Sequence, residues 1–277
     1  MSKRPPMHQA RKRFGQNFLH DAGIIRRIIR SIAPHESDHL VEIGPGLGAL
    51  TEELLDEAGA LDAIELDRDL PPILRSKFFN YGDKFRIFEE DAMKFDFASL
   101  QEDERPLRVV GNLPYNISTQ LIFHLLSHSD CILDMHFMLQ KEVVDRMAAG
   151  PGENNYGRLG IMAQYYCKVE KLFIVPPGAF NPAPKVDSAI IRLTPYKQLP
   201  VEAQDVKMLE KVVRTAFTMR RKTLRNNLKP MLTGDELEHL GIDPSLRPER
   251  LGLPEFVTIS DYLSNKNTSA SEEADVE

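Results

Sequence analysis

The chain has 277 residues, 42% of them hydrophobic and 27% charged, with a net charge of −6. That supports one large domain, or a large one plus a small one, is too apolar for a disordered chain, and includes no apolar run near the ~20 residues of a membrane-spanning helix. Met1-Ser2-Lys3-Arg4-Pro5-Pro6 is followed by no apolar stretch, which excludes a secretory signal, and Cys131 and Cys167 alone cannot build a disulfide framework, so a cytoplasmic protein is expected.

In chain order, residues 1–30 come first, carrying eight Lys or Arg against Asp21 alone. From residue 39 to about 195, short β-branched runs alternate with amphipathic stretches. Strands are expected at 40–43, 63–66, 86–89, 108–110, 133–139, 172–175 and 189–193, and helices at 50–57, 69–79, 118–127 and 141–148. Strands alternating with helices predict an α/β fold with a parallel sheet covered on both faces. Only a Pro- and Gly-rich stretch separates the last two strands, so they are expected to form an antiparallel pair at the sheet's edge. Helices follow at 205–219, 220–229, 235–240 and 254–265, and the acidic stretch from 265 onward reads as disordered. The domains expected are therefore 1–196, 197–264 and a tail at 265–277.

The first strand runs into Gly44-Pro45-Gly46-Leu47-Gly48 and then a helix, a turn that lets a ligand approach the main chain closely at Gly44 and Gly46. Glu65 ends the next strand, where a carboxylate accepts from both hydroxyls of a ribose. The third glycine comes one residue too early for a dinucleotide fingerprint, and Pro45 removes an N–H that a pyrophosphate would use. A nucleoside cofactor without phosphates fits better, and this points to S-adenosylmethionine rather than NAD. Asp91, after the third strand, is placed either to accept from an adenine amino group or to cap a turn.

Asn112-Leu113-Pro114-Tyr115 follows the fourth strand. An exocyclic amine on an aromatic base delocalises its lone pair into the ring. The Asn112 amide oxygen and the Leu113 carbonyl can accept the two hydrogens of such an amine and draw it toward a nucleophilic geometry. Pro114 stiffens that loop, and Tyr115 offers a stacking face. Phe180, in the Pro-rich loop before the last strand, reads either as a second stacking face or as a loop anchor packed on the core.

Together with Phe14-Gly15-Gln16-Asn17-Phe18-Leu19, Glu65-Leu66-Asp67, Gln140-Lys141-Glu142-Val143, the stretch 180–188 and Arg220-Arg221-Lys222-Thr223-Leu224, these motifs make residues 10–262 resemble the small-subunit ribosomal RNA adenine dimethyltransferases. Asn181 stands where that family is expected to carry a small hydroxyl residue. The resemblance implies a Rossmann-like methyltransferase sheet of seven strands, the last one antiparallel, followed by a small all-helical RNA-binding domain. It implies S-adenosylmethionine as cofactor, contacted by Asn17, Leu19, Gly44, Glu65, Asp91 and Asn112. Tyr115 and Phe180 would stack on the target adenine. The reaction implied is dimethylation of N6 on each of two adjacent adenosines near the 3′ end of small-subunit ribosomal RNA, during ribosome assembly and on an immature small subunit.

Two segments, 1–30 and 207–231, each carry seven net positive charges, so the remainder carries twenty net negative. This is either a polyanion-binding face or a pair of solvated helix faces. On a continuous helix Arg221, Lys222, Arg225 and Lys229 would share about 100° of one face, with Phe217, Leu224 and Leu228 alongside. That suits a helix laid on phosphates, and Arg11, Lys12 and Arg13 would add charge near the cofactor. His124 and His128 share helical spacing but lack a third ligand, so no metal is expected, and no membrane partner. The alternatives are a related adenine-N6 enzyme acting on large-subunit RNA or DNA, a non-catalytic assembly factor, and an NAD-dependent oxidoreductase.

Overall fold

The structure is a computed structural model, and it describes residues 16–274. In chain order the strands are β1 (Phe18–Leu19), β2 (His39–Ile43), β3 (Ala60–Ile64), β4 (Phe85–Phe88), β5 (Leu107–Asn112), β6 (Ile132–Gln140), β7 (Cys167–Val175), β8 (Phe180–Asn181) and β9 (Ser188–Pro195). The helices are α1 (Ala22–Ile32), α2 (Thr51–Glu57), α3 (Leu70–Lys77), α4 (Ser118–Leu126), α5 (Lys141–Ala148), α6 (Arg158–Tyr166), α7 (Val206–Ala216), α8 (Leu224–Leu228), α9 (Gly234–His239) and α10 (Leu253–Ala274).

Seven strands form one sheet in the order β4-β3-β2-β5-β6-β9-β7, and β1 pairs with β8 in a separate ribbon. The strands from β4 to β6 pair in parallel, so the carboxyl ends of β2, β3, β4 and β5 open on one side. β9 runs antiparallel to β6, from Met135 opposite Leu193 to Gln140 opposite Ser188. β9 therefore lies between β6 and the edge strand β7, so the last two strands are neighbours at the sheet's edge as expected, and β6 is an antiparallel partner on the other side of β9. The central strands are buried throughout, His39 and Glu42 included, as a sheet covered on both faces requires.

The chain divides into two compact units, Met1–Val144 with Glu170–Pro195, and Asp145–Val169 with Tyr196–Glu277. The second thus includes a segment from before the expected boundary at 196. Tyr156 and the apolar face of α6 (Ile161, Met162, Ala163, Tyr165) are buried, and the Tyr156 ring meets Phe217 edge-on at 6.5 Å. Sequence periodicity within 141–169 cannot reveal that the partner of Tyr156 is as distant as Phe217. α10 continues to Ala274, so the stretch expected to be disordered from 265 is helical through that residue.

α1 was not among the expected elements. Asp21 caps it by accepting from the Ile24 N–H at 2.9 Å. Ile28, Ile29 and Ile32 face the core, and Arg26, Arg27 and Arg30 face out, with Arg27 over the Phe173 ring at 4.0 Å. These three arginines of the first basic segment are therefore the solvated face of an amphipathic helix.

Candidate active site

The loops beyond three of the parallel strands, β2, β3 and β5, are fastened to their neighbours by main-chain bonds. Gly44 N–H donates to the Ile64 carbonyl at 2.9 Å, Glu65 N–H to Phe88 at 2.9 Å, and Leu113 N–H to Met138 at 3.2 Å. Gly46 has a φ of 61°. A Cβ there would lie 3.1 Å from the Phe18 ring, so only glycine lets β1 close over this turn. A cavity of about 750 Å³ results. Its walls include Asn17, Leu19, Gly44, Gly46, Glu65, Asp91, Asn112, Leu113, Pro114 and Tyr115. Residues read from widely separated motifs thus share one wall.

The cavity's electrostatics identify the kind of ligand it suits. Glu42, Glu65, Glu90 and Asp91 line it, and among the described residues no Lys or Arg does. A pyrophosphate would meet carboxylates and no counter-charge, whereas a sulfonium cation carrying an adenosine suits them. Burial pushes the Glu65 carboxyl up to about 7, against the pull of backbone N–H groups from Asp67 and Gly46. The Asp67 N–H donates to Glu65 Oε1 at 2.8 Å, which fixes the carboxylate at the strand end. Asp91 Oδ1 accepts from the Met93 N–H at 3.0 Å, so this residue caps a turn and also lines the cavity. The turn-cap reading of Asp91 therefore holds, and the same residue stands in the cavity wall.

At the fourth strand end, Asn112 Nδ2 donates to the Asn17 carbonyl at 3.0 Å. That bond orients the amide and leaves Oδ1 as its acceptor. The Tyr115 hydroxyl lies 2.7 Å from Ser188 Oγ, and burial raises its pKa, so the phenol is neutral at physiological pH. Pro114 accepts from the Ile117 N–H at 3.2 Å, closing the turn into α4. The motif therefore presents an oriented amide oxygen and an uncharged ring in one cavity with the cofactor-type residues.

A scan against family models decides what this arrangement belongs to: residues 7–265 match the model described as "Ribosomal RNA adenine dimethylase". The chain belongs to that family. Among relatives of this dimethylase-family chain, "Ribosomal RNA small subunit methyltransferase A" from Hahella chejuensis is 68% identical over 256 residues, covering 92% of this chain and 93% of that protein. The protein of the same name from Pseudomonas aeruginosa is 62% identical, covering 93% and 96%. A solved dimethyladenosine transferase from Plasmodium falciparum superposes with a TM-score of 0.78 at 29% identity, over 90% of this chain and 98% of that one. The 23S rRNA methyltransferase ErmE gives 0.71 over 90% and 100%, but at 24% identity it shares the fold alone. The dimethylase family brings S-adenosylmethionine as methyl donor, and the carboxylate-lined cavity fits it. Among the described residues lining the cavity no Lys or Arg would meet the phosphates that the oxidoreductase reading requires.

Two expectations need correction. The Phe180 ring is 3% exposed and sits in the core cluster with Leu19, Phe173 and Val175, while its neighbours Asn181 and Pro182 line the cavity. In the β8 alternation Phe180 faces inward, so the loop-anchor reading describes this structure and the two-ring clamp is not formed in it. Likewise Arg221 and Lys222 do not lie on a helix with Arg225 and Lys229, because α8 covers only Leu224–Leu228. Buried Asn227 is the cause. Its Oδ1 accepts from the Met219 N–H at 3.2 Å, and its Nδ2 donates to the Met219 and Lys222 carbonyls at 3.2 and 3.3 Å. These bonds hold 219–222 as a loop. Arg221, Lys222, Arg225 and Lys229 are all exposed, and Arg11, Lys12 and Arg13 lie outside the described residues.

Sequence reasoning missed Glu42 and the Gln16–Asp67 link. Glu42 is 2% exposed, accepts from Thr51 Oγ1 at 2.6 Å, and is pushed up to about 7 by burial first and then by the charge of Glu65. Gln16 Nε2 donates to Asp67 Oδ2 at 2.9 Å, fastening the start of the described chain beside the end of β3. A carboxylate inside an otherwise apolar buried strand was the available signal for Glu42, and no sequence pattern marks the link.

Among the described residues no group of three His, Cys, Asp or Glu is placed to hold a metal ion. His124 Nε2 lies 2.9 Å from the Phe95 carbonyl, and His128 Nδ1 lies 3.0 Å from the His124 carbonyl. Cys131 and Cys167 are buried thiols.

Proposed function

We propose that this protein methylates N6 of two adjacent adenosines near the 3′ end of small-subunit ribosomal RNA, twice each, acting in the cytoplasm on an immature small subunit. The reading rests above all on the Asn112 amide, whose N–H₂ is committed to Asn17 so that its oxygen is left to accept from an amine. The small-subunit assignment draws support from relatives above 60% identity that bear that name.

S-adenosylmethionine, when bound, supplies a methyl group on a sulfonium. Glu65 accepts from its ribose hydroxyls, and Asp91 takes its adenine amine. In the first transfer Asn112 Oδ1 and the Leu113 carbonyl each accept one hydrogen of the target N6, and in the second the single remaining hydrogen is accepted by one of them. This withdraws the amine's lone pair from the ring and aims it at the methyl. Tyr115 stacks on the base, which must leave its helix or loop to reach the cavity. The donor is already activated, so no side chain must remove a proton beforehand. Arg221, Lys222, Arg225 and Lys229, with Arg11, Lys12 and Arg13, contact phosphates.

Mass-spectrometric mapping of labelled methyl groups tests the proposal. Immature small subunits, mature small subunits and naked large-subunit RNA are each incubated with labelled cofactor. Label on two neighbouring adenosines of the immature particle is expected, whereas preferential labelling of large-subunit RNA overturns the reading.

A further inference from the structure

Ser188 does not line the cavity, yet its hydroxyl reaches the ring that does. It is the first residue of β9, opposite Gln140 of β6, and it is wholly buried. The Lys141 N–H already donates to the Asp187 carbonyl at 2.9 Å, so the main chain ends this strand pair without help from the serine side chain. What the hydroxyl does instead is meet the Tyr115 phenol at 2.7 Å.

The main chain of Tyr115 is held separately, by Ser118 Oγ donating to its carbonyl at 3.3 Å. The residue is thus fixed at both ends, and its ring cannot swing without breaking the Ser188 bond. Stacking on a base needs only a ring, which phenylalanine would supply as well. The phenol oxygen is explained by an anchoring partner, and Ser188 is the one the structure provides.

We propose that Ser188 is a positioning residue for methyl transfer, fixing through the Tyr115 phenol the plane against which the target base stacks. This rests on the function proposed above, in that the ring is taken to contact an adenine. A ring free to tilt carries the base with it and misaligns N6 with the methyl group, and small misplacements of reacting atoms are costly to the rate.

Two arms test this. In the first, kinetics on small-subunit RNA are measured for Ser188→Ala, Tyr115→Phe and the pair combined. Ser188→Ala lowers kcat about tenfold or more while the KM for S-adenosylmethionine stays within about twofold, and the double variant is no slower than the slower single one. A purely structural serine would instead give additive losses, and that result overturns the proposal. The second arm needs no substrate. With ¹³C at the tyrosine Cζ of this seven-tyrosine chain, the signal lost in Tyr115→Phe shifts in Ser188→Ala while the others hold. An unmoved Tyr115 signal overturns the proposal even if the RNA substrate proves to be a different one, and failure of the wild-type protein on small-subunit RNA counts against the proposed function alone.

Discussion

The cavity and the basic segment at 219–229 were both expected from short motifs, but they came out differently. At the cavity the expected residues meet, because each sits at the end of a strand or in a turn that tolerates few backbones. Gly46, with its positive φ and the Phe18 ring against it, is one such position. In the basic segment the four cations are exposed, but their arrangement is not the expected one. Helical spacing placed four cations on one face, and one buried side chain, Asn227, holds the first two in a loop instead. Main-chain constraint at strand ends carries farther than side-chain periodicity in a short polar segment.

That contrast can be pressed experimentally. The largest effect is expected at the cavity: Asn112→Ala should lower kcat about 10²–10³-fold, as loss of an oriented polar group in a catalytic site does, with RNA affinity nearly unchanged. An equal fall in RNA affinity would mean that Asn112 serves binding rather than chemistry. A smaller effect concerns Glu65, which must be ionised to accept from two hydroxyls. Burial lifts its pKa to about 7, so the proton returns as the pH falls below that value and affinity for S-adenosylmethionine declines from pH 8 to pH 6. Glu65→Gln should bind about tenfold more weakly at pH 8 and flatten that profile, as titration calorimetry at several pH values would register. The smallest effect belongs to the loop. Arg221→Ala and Lys222→Ala should each reduce the slope of log K for RNA against log salt by about 1 while leaving sequence preference alone. Unchanged slopes would remove both residues from the phosphate contacts.

Much of the fold was legible because the signals were local. The apolar runs of β2, β5 and β6, the glycine turn and the loop after β5 stand out in the sequence, and each lies where its pattern placed it. What escaped notice was held by long-range contacts. Glu65 was read as the end of a strand spanning 63–66, yet β3 runs from Ala60 to Ile64, with its first residues set by pairing to β2. Phe180 looked equally suited to a binding surface or a core, and only its β1 partner Leu19 and the surrounding core cluster decide the matter. The apolar stripe of α1 was visible in Ile24, Ile25, Ile28, Ile29 and Ile32 but was masked by the arginines between them. Tyr156 and α6 gave no hint of Phe217, because nothing in a sequence records which distant residue covers an apolar face.

The pairing of β1 with β8 joins residues about 160 positions apart, Phe18 with Asn181 and Leu19 with Phe180. The same early segment supplies the carbonyl that orients the Asn112 amide. A growing polypeptide therefore synthesises one half of its reactive loop's support first and must wait for the eighth strand before that half has anywhere to dock. Until then the segment whose carbonyl holds the Asn112 amide lacks its strand partner, so the glycine turn is made well before the support of the loop after β5 is complete.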